Sequence, residues 1–470
     1  MNFVDRFFEI SARQSTVGTE IRGGVVTFIA MAYIIVLNPI ILSGSADVTG
    51  GRLDFAQVSA TTALAAGVMT ILFGFIARLP FAFAAGLGIN SFLATTVVVE
   101  LTWAEAMGLV VINGLIIVLL AATGLRRLVF DAVPMQLKLA ITAGIGLFIL
   151  FIGLVDAGFI GSTGVASPPV GLGGEGSGSI STVPTLVFVG TLLLTGILVV
   201  RKVRGGILIG LAVGTVAAVV IEAIWHLGSA QENPDGWSLS VPALSGSPFA
   251  LPDLSLVGEF SLNSFSRIGI VAAVMLVFTL VFANFFDAMG TMTGLSREAN
   301  LSDDKGTFPR LKSALIVEGA GAVVGGATSS SSNTVFIESG AGIEEGARTG
   351  LANLVTGVLF LAAMFISPLA SIVPTEVAAA ALVVVGALMA SQLRYIELTE
   401  FSIALPVVLT VAVMPFSYSI ANGIGVGFIA WVVMRSAAGK VREISPLLWV
   451  VAAGFAIYFA RTPLESVLGV

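Results

Sequence analysis

The chain has 470 residues, of which 56% are hydrophobic and only 11% charged, with a formal net charge of −6 and a mean hydropathy of +1.03. A water-soluble fold of this size cannot hide so much apolar surface and still cover itself with polar groups, so soluble enzymes and soluble binding modules are excluded and lipid is the expected solvent. With no cysteine and a single histidine, His226, disulfides, Fe–S clusters, thiolate metal sites and histidine clusters are excluded as well.

Residues 1–22 are charged and mildly amphipathic, and no short apolar core with a small-residue cleavage site follows. They read as a cytoplasmic segment ahead of a first span that is retained. A helix crossing a bilayer needs roughly 20 mostly apolar residues. Such runs occur at 23–43, 57–77, 106–126, 134–156, 184–200 and 206–226, and again at 269–294, 313–328, 350–371, 376–392, 401–416, 418–436 and 446–461. The segments 84–99 and 333–346 are shorter and rich in Gly, Ser and Asn. About fourteen crossings are expected, because the run at 446–461 is short enough to lie in the interface instead. His226, beside Trp225 at the end of a span, reads as an interfacial residue.

Positive charge tests this map. With a cytoplasmic N-terminus, Arg6, Arg13, Arg22, Arg78, Arg126, Arg127, Lys138, Arg201, Lys202, Arg204, Arg297, Lys305, Arg310, Lys312, Arg348, Arg394, Arg435, Lys440 and Arg442 all fall inside. Only Arg52 and Arg267 fall outside, Arg461 being undecided, and that bias is the expected cytoplasmic excess of Lys and Arg. The exterior stretch 157–183 is Gly/Ser/Pro-rich and reads as an irregular loop. A second exterior stretch, 227–268, divides the chain into a first repeat, 23–226, and a second, 269–461. Seven spans is an odd number, so the halves are expected in opposite orientations, each with a broken third segment. Matching broken segments in inverted halves point to a transporter's midplane site.

The first broken segment is FAFAAGLGINSFLATT, residues 81–96, where Gly86 and Gly88 make a poor continuous helix and Asn90 and Ser91 bring polar groups to membrane depth. Close packing of small residues is the plainer alternative. The second is Thr328–Gly346, with four consecutive serines, Asn333 and Thr334, and then Glu338 between Ile337 and Ser339. An ionisable group in a span costs a few kcal/mol even on the lenient insertion scale, about 3 kcal/mol, which makes Glu338 a functional candidate. Just before it, residues 270–296 run apolar until Asn284 and Asp287, which share one helical face with Thr291. Asp287 reads as a proton relay or substrate contact rather than a cap. Glu318 also lies inside an apolar run, with Lys312 and Arg310 as candidate partners. Glu344 and Glu345, beside Arg348, read as a cytoplasmic turn. Phe83, Phe92, Phe285 and Phe336 could stack a flat ligand, although any one of 31 phenylalanines is more often packing. A carboxyl group withdrawn from water can hold a proton near neutral pH and accept hydrogen bonds from a neutral heterocycle. No Ser–His or Cys–His pair, metal cluster or Walker-type phosphate loop is present, so no enzyme is read here and no cofactor is expected.

TFIAMAYIIVLNPIIL (27–42), AAGLGINSF (84–92), FANFFDAMGTMTG (282–294) and SSNTVFIESGAGIEEGARTGL (331–351) together resemble the adenine/guanine/hypoxanthine permeases, a branch of the nucleobase–cation symporters. The similarity extends through ALVVVGALM (381–389) and residues 405–428, nearly the whole chain. The resemblance implies an all-α polytopic fold of fourteen spans in two inverted seven-span repeats. It also implies a core domain (23–126 plus 269–371), a gate domain (134–226 plus 376–461), and short antiparallel strands in spans 3 and 10 with substrate between them. Carried over, it makes Glu338, Asp287, Asn90, Phe92, Phe336 and Ser339 substrate-binding residues, with Asn90 supporting Asp287 or the pocket. Asp287 and Glu338 become the proton-coupling pair, and Thr291, Asn284 and Thr334 support them. Where many members have an acid this chain has Asn284, and Ser91 stands where others have Ala.

The function so implied is import of purine nucleobases by proton symport, with Na⁺ as the alternative ion, in a homodimer of a bacterial inner membrane and with no nucleic-acid partner. Its rivals are a same-fold carrier of uracil, xanthine or an anion, and a non-transporting sensor. Two carboxylates and no Arg in the candidate site speak against the anion. An intramembrane aspartyl protease would need two Asp residues brought together in other motifs.

Overall fold

The computed structural model describes residues 3–124, 132–165, 167–173, 178–180, 182–238, 240–243, 247, 249–302 and 308–460. Arg126, Arg127, Lys305 and Arg461, used above in the charge map, lie outside the described residues.

The chain is a multi-pass helical protein: among the described residues, ten helices are long and apolar enough to cross a membrane. The first begins at Val17, ahead of the boundary expected at residue 23, because Thr16 caps it by accepting a hydrogen bond from the Thr19 N–H at 3.2 Å. Part of the segment read as cytoplasmic is therefore helix, and Glu20 within it is fully buried. Its carboxylate accepts from the N–H groups of Arg348 (2.8 Å) and Thr349 (3.2 Å), satisfying donors at the start of the helix Gly350–Ala363. The first span is itself broken, into Val17–Met31 and Ile34–Gly44, with Tyr33 at the break. The long helix Ser264–Glu298 is interrupted at Gly269, whose φ of 78° and ψ of 161° only glycine adopts without strain. The final helix, Pro446–Phe459, has 14 residues. At 1.5 Å per residue it is about 21 Å long, short of the ~30 Å hydrocarbon core.

The helices pack as two groups. In one, Trp103–Thr123 lies against Leu311–Ala327, and Phe55–Ile76 and Val17–Met31 lie against Gly350–Ala363. In the other, Met135–Asp156 and Val183–Val200 pack on Thr375–Ala390, and Phe401–Phe416 packs on Ile420–Ala437. Each group draws helices from both halves of the chain. Among the described residues four short strands accompany them: β1 (Phe83–Ala85), β2 (Ile160–Ser162), β3 (Val170–Leu172) and β4 (Asn333–Val335). The stretch 157–183, expected to be irregular, contains the antiparallel β2–β3 ladder, because two extended segments can pair their backbone groups with each other.

Polar contacts gather at helix ends. Lys440, Ser402 and Arg435 hold the Glu400 carboxyl down to about 2. Arg435, expected in a loop, is buried in the last turn of its helix between Glu400 (2.7 Å) and Glu443. Glu345, expected on an open turn beside Arg348, is buried and ion-paired to Arg22 (2.8 Å) and Arg204. The half-helix that ends just before it packs on the first helix, which carries Arg22.

Small residues let the broken segments approach their neighbours. A methyl group at Gly325 would sit 1.8 Å from the Ser331 carbonyl oxygen. Gly325→Ala is therefore expected to lower the thermal midpoint of the purified protein, at a cost of about 1–3 kcal/mol for overpacking. An unchanged midpoint would contradict this close approach.

Candidate functional site

β1 and β4 pair antiparallel with Phe83 opposite Val335, Ala84 opposite Thr334 and Ala85 opposite Asn333. A half-helix follows each strand: Leu87–Phe92, continued as a π-turn to Val97, and Ser339–Glu344. Extended backbone at membrane depth is stable only if its polar groups are paired. Here the Gly86 N–H donates to the Ser332 carbonyl (2.9 Å) and the Phe336 N–H to the Ala82 carbonyl (3.0 Å). The Phe83 N–H donates to the Thr70 hydroxyl (2.9 Å), and the Asn353 amide to the Phe81 carbonyl (2.7 Å). Backbone groups of the crossing are thus paired with each other and with neighbouring side chains.

Three carboxylates surround it. Glu338 stands between β4 and its half-helix, part-exposed, and accepts a hydrogen bond from the buried hydroxyl of Tyr33. Asp287, on the helix Ser264–Glu298, is also part-exposed and close enough to Glu338 for the two charges to interact. Among the described residues no hydrogen bond reaches its carboxylate. Glu318 is fully buried behind β4, beside the Thr334 hydroxyl and the Val335 N–H, with neither oxygen making a hydrogen bond of good geometry among the described residues. The pairing of Glu318 with Lys312 or Arg310 is not found: Lys312 is six residues away, about 9 Å along the helix, and Arg310 binds Glu9 at 3.2 Å. No Lys or Arg pairs with any of the three acids among the described residues.

The remaining candidates divide. Asn284 shares Asp287's helical face but is buried, its amide unpartnered among the described residues, and Thr291 is part-exposed one turn further on. No hydrogen bond joins Asn90 to Asp287 among the described residues. The Asn90 amide donates to Asn38 (2.6 Å), which in turn donates to Thr62 (2.7 Å) and the Ser330 carbonyl (3.0 Å), so it fastens a half-helix to the first two spans. Ser339 has its hydroxyl occupied, donating to the Phe336 carbonyl (2.7 Å) and accepting from the Ala82 N–H (2.9 Å). Phe92 and Phe336 are buried in the apolar core, as is Thr334 within β4. Asp287 and Glu338 are thus brought together, while Asn90 and Ser339 brace the crossing behind them.

Sequence reasoning passed over Tyr33 and Asn38. The chain has only four tyrosines, and one in mid-span must place its hydroxyl against a partner. Asn38, followed by Pro39 within an apolar run, carried the same signal.

A family model described as "Permease family", short name Xan_ur_permease, matches residues 18–426. This chain belongs to that family. Within the permeases, it is 37% identical over 96% of its length to the guanine/hypoxanthine permease PbuG of Bacillus subtilis, covering 98% of that protein. It is 34% identical over 96% of its length to the adenine permease AdeP of Escherichia coli, covering 95% of that chain. The fold of this permease resembles the transmembrane domain of the cyanobacterial bicarbonate transporter BicA, with a TM-score of 0.59 at 17% identity, covering 90% of this chain and 97% of that one. Murine Slc26a9 shares the fold at a TM-score of 0.58 and 11% identity, covering 90% and 68%. The adenine/guanine/hypoxanthine-permease resemblance and the helical fold expected from it hold.

Proposed function

We propose that this permease imports purine nucleobases, among hypoxanthine, guanine and adenine, by proton symport across a bacterial inner membrane, with its N-terminus cytoplasmic. The observation that carries the reading is the Glu338–Asp287 pair at the strand crossing, part-exposed and ion-paired to no Lys or Arg among the described residues. Carboxylates accept the N–H groups of a neutral heterocycle, whereas an anion would be repelled. Two carboxylates in a site poor in water cannot both be ionised at low cost, so the pair is suited to exchange a proton. The names of the relatives point to the same substrate class. The two helix groups are a core, carrying the crossing, and a gate, and movement of one against the other alternates access in an elevator-like way. The permease acts as a homodimer in this reading.

The test is uptake of radiolabelled hypoxanthine, guanine, adenine and uracil into cells expressing the chain, with and without a protonophore. Purine uptake that the protonophore abolishes supports the reading. Good expression with no uptake of any nucleobase overturns it. Tyr33→Phe removes the hydroxyl that orients Glu338 and is expected to raise the half-saturating purine concentration about tenfold, the equivalent of one ~1.4 kcal/mol hydrogen bond. Unchanged saturation would remove Tyr33 from the site.

A further inference from the structure

A cavity of about 350 Å³ lies between the two helix groups, and neither Glu338, Asp287 nor Tyr33 lines it. One wall is formed by Ile40 and by Ser91 and Thr95 of the half-helix after β1. The other is formed by Ile152 and Asp156 of the helix Met135–Asp156, with Tyr418. Because β1 and β4 are antiparallel, the half-helices that follow them leave the crossing in opposite directions. This cavity, on the β1 half-helix, is therefore on the opposite side of the crossing from the half-helix that Glu338 begins.

The Thr95 hydroxyl donates to the Ser91 carbonyl (2.7 Å), whereas two other polar groups of the lining are unspent. The Ser91 hydroxyl is 1% exposed and has no hydrogen-bond partner among the described residues, although burying a hydroxyl without one costs about 1–3 kcal/mol. Asp156 is part-exposed, with no hydrogen bond or ion pair to its carboxylate among the described residues. The neighbouring Glu376 differs, since it accepts from the N–H (2.9 Å) and hydroxyl (2.7 Å) of Ser238. Tyr418 holds a left-handed backbone, φ 53°, which a bulky residue adopts only where its surroundings enforce it. Its ring is braced edge-on by Phe148 and Phe151, at centroid distances of 5.7 and 5.9 Å.

A slot at the lower end of small-ligand pocket volumes, with apolar walls, a fixed aromatic ring, a carboxylate acceptor and a free hydroxyl, suits a flat neutral heterocycle bearing N–H groups. We propose that it is a second, entry subsite for the purine nucleobase, in which Asp156 accepts ring N–H groups, Ser91 bonds the heterocycle and Tyr418 packs against it. The inference rests on the nucleobase reading above.

Equilibrium binding of radiolabelled hypoxanthine to the purified full-length protein in lipid nanodiscs tests it. Two saturable sites per chain are expected. Asp156→Asn should weaken one at least tenfold, and Glu338→Gln should weaken the other. Ile152→Trp, which fills the cavity and leaves both carboxylates in place, should reproduce Asp156→Asn, and it decides the matter if Asp156→Asn fails to fold. A single site in the wild type, or two sites that neither Asp156→Asn nor Ile152→Trp changes, overturns the subsite. No saturable hypoxanthine binding to the wild type would instead sink the nucleobase reading, which keeps the two failures apart.

Discussion

Glu338→Gln is expected to lower hypoxanthine uptake at sub-saturating concentration about 30- to 150-fold, the equivalent of ~2–3 kcal/mol for hydrogen bonds to a charged acceptor. Gln keeps the shape of the side chain and an oxygen for the Tyr33 hydroxyl, so the strand crossing should survive. It replaces one carboxylate oxygen by an N–H₂ group, which meets the N–H face of a purine donor to donor. The penalty is larger than the loss of one bond because a donor then remains unpaired in the bound complex. Uptake kinetics, normalised to surface expression, measure the effect. A change of less than threefold would mean that the purine does not bind through Glu338, and would move the site elsewhere.

Asp287→Asn is expected to separate binding from energy coupling. Accumulation of purine against its gradient should fall by tenfold or more, and its dependence on external pH should flatten. Exchange of internal for external purine should fall far less. Asp287 fits this role because no described residue hydrogen-bonds its carboxylate, so it can change protonation state without breaking a structural bond. Glu338, which interacts with it electrostatically, would feel that change directly. Asn removes the titration and keeps the size. Counterflow in vesicles preloaded with hypoxanthine, compared with pH-gradient-driven uptake, measures both quantities. Equal loss of both would make Asp287 a binding residue, and loss of neither would remove it from the mechanism.

The two predictions differ because the two acids are anchored differently, and that difference was not readable along the chain. Both residues announced themselves as ionisable groups inside apolar runs. Which one is held and which is free depends on Tyr33, 305 positions from Glu338 in sequence, and on the break between Met31 and Ile34 that sets its direction. Asn90 shows the reverse case. Its position in a broken span marked it as a site residue; its amide nitrogen is engaged by Asn38 of another span, a partner that no local pattern specifies, while its buried Oδ1 has no partner among the described residues. Ser339, a substrate-binding residue by the resemblance, has its hydroxyl occupied on both sides by backbone.

Hydropathy and charge, read one residue at a time, were sufficient for the membrane character, the approximate limits of the helices and the two interrupted segments. In lipid every backbone group must be satisfied within the protein, and a helix does so within its own segment, so long apolar runs translate almost directly into helices. Long-range pairing obeys no such local rule. That β1 meets β4, that Glu345 finds Arg204, and that Asp156, Ser91 and Tyr418 enclose one cavity are decided by how helices from both halves of the chain pack together. Packing is a property of matched surfaces, which come into being only when the tertiary fold forms.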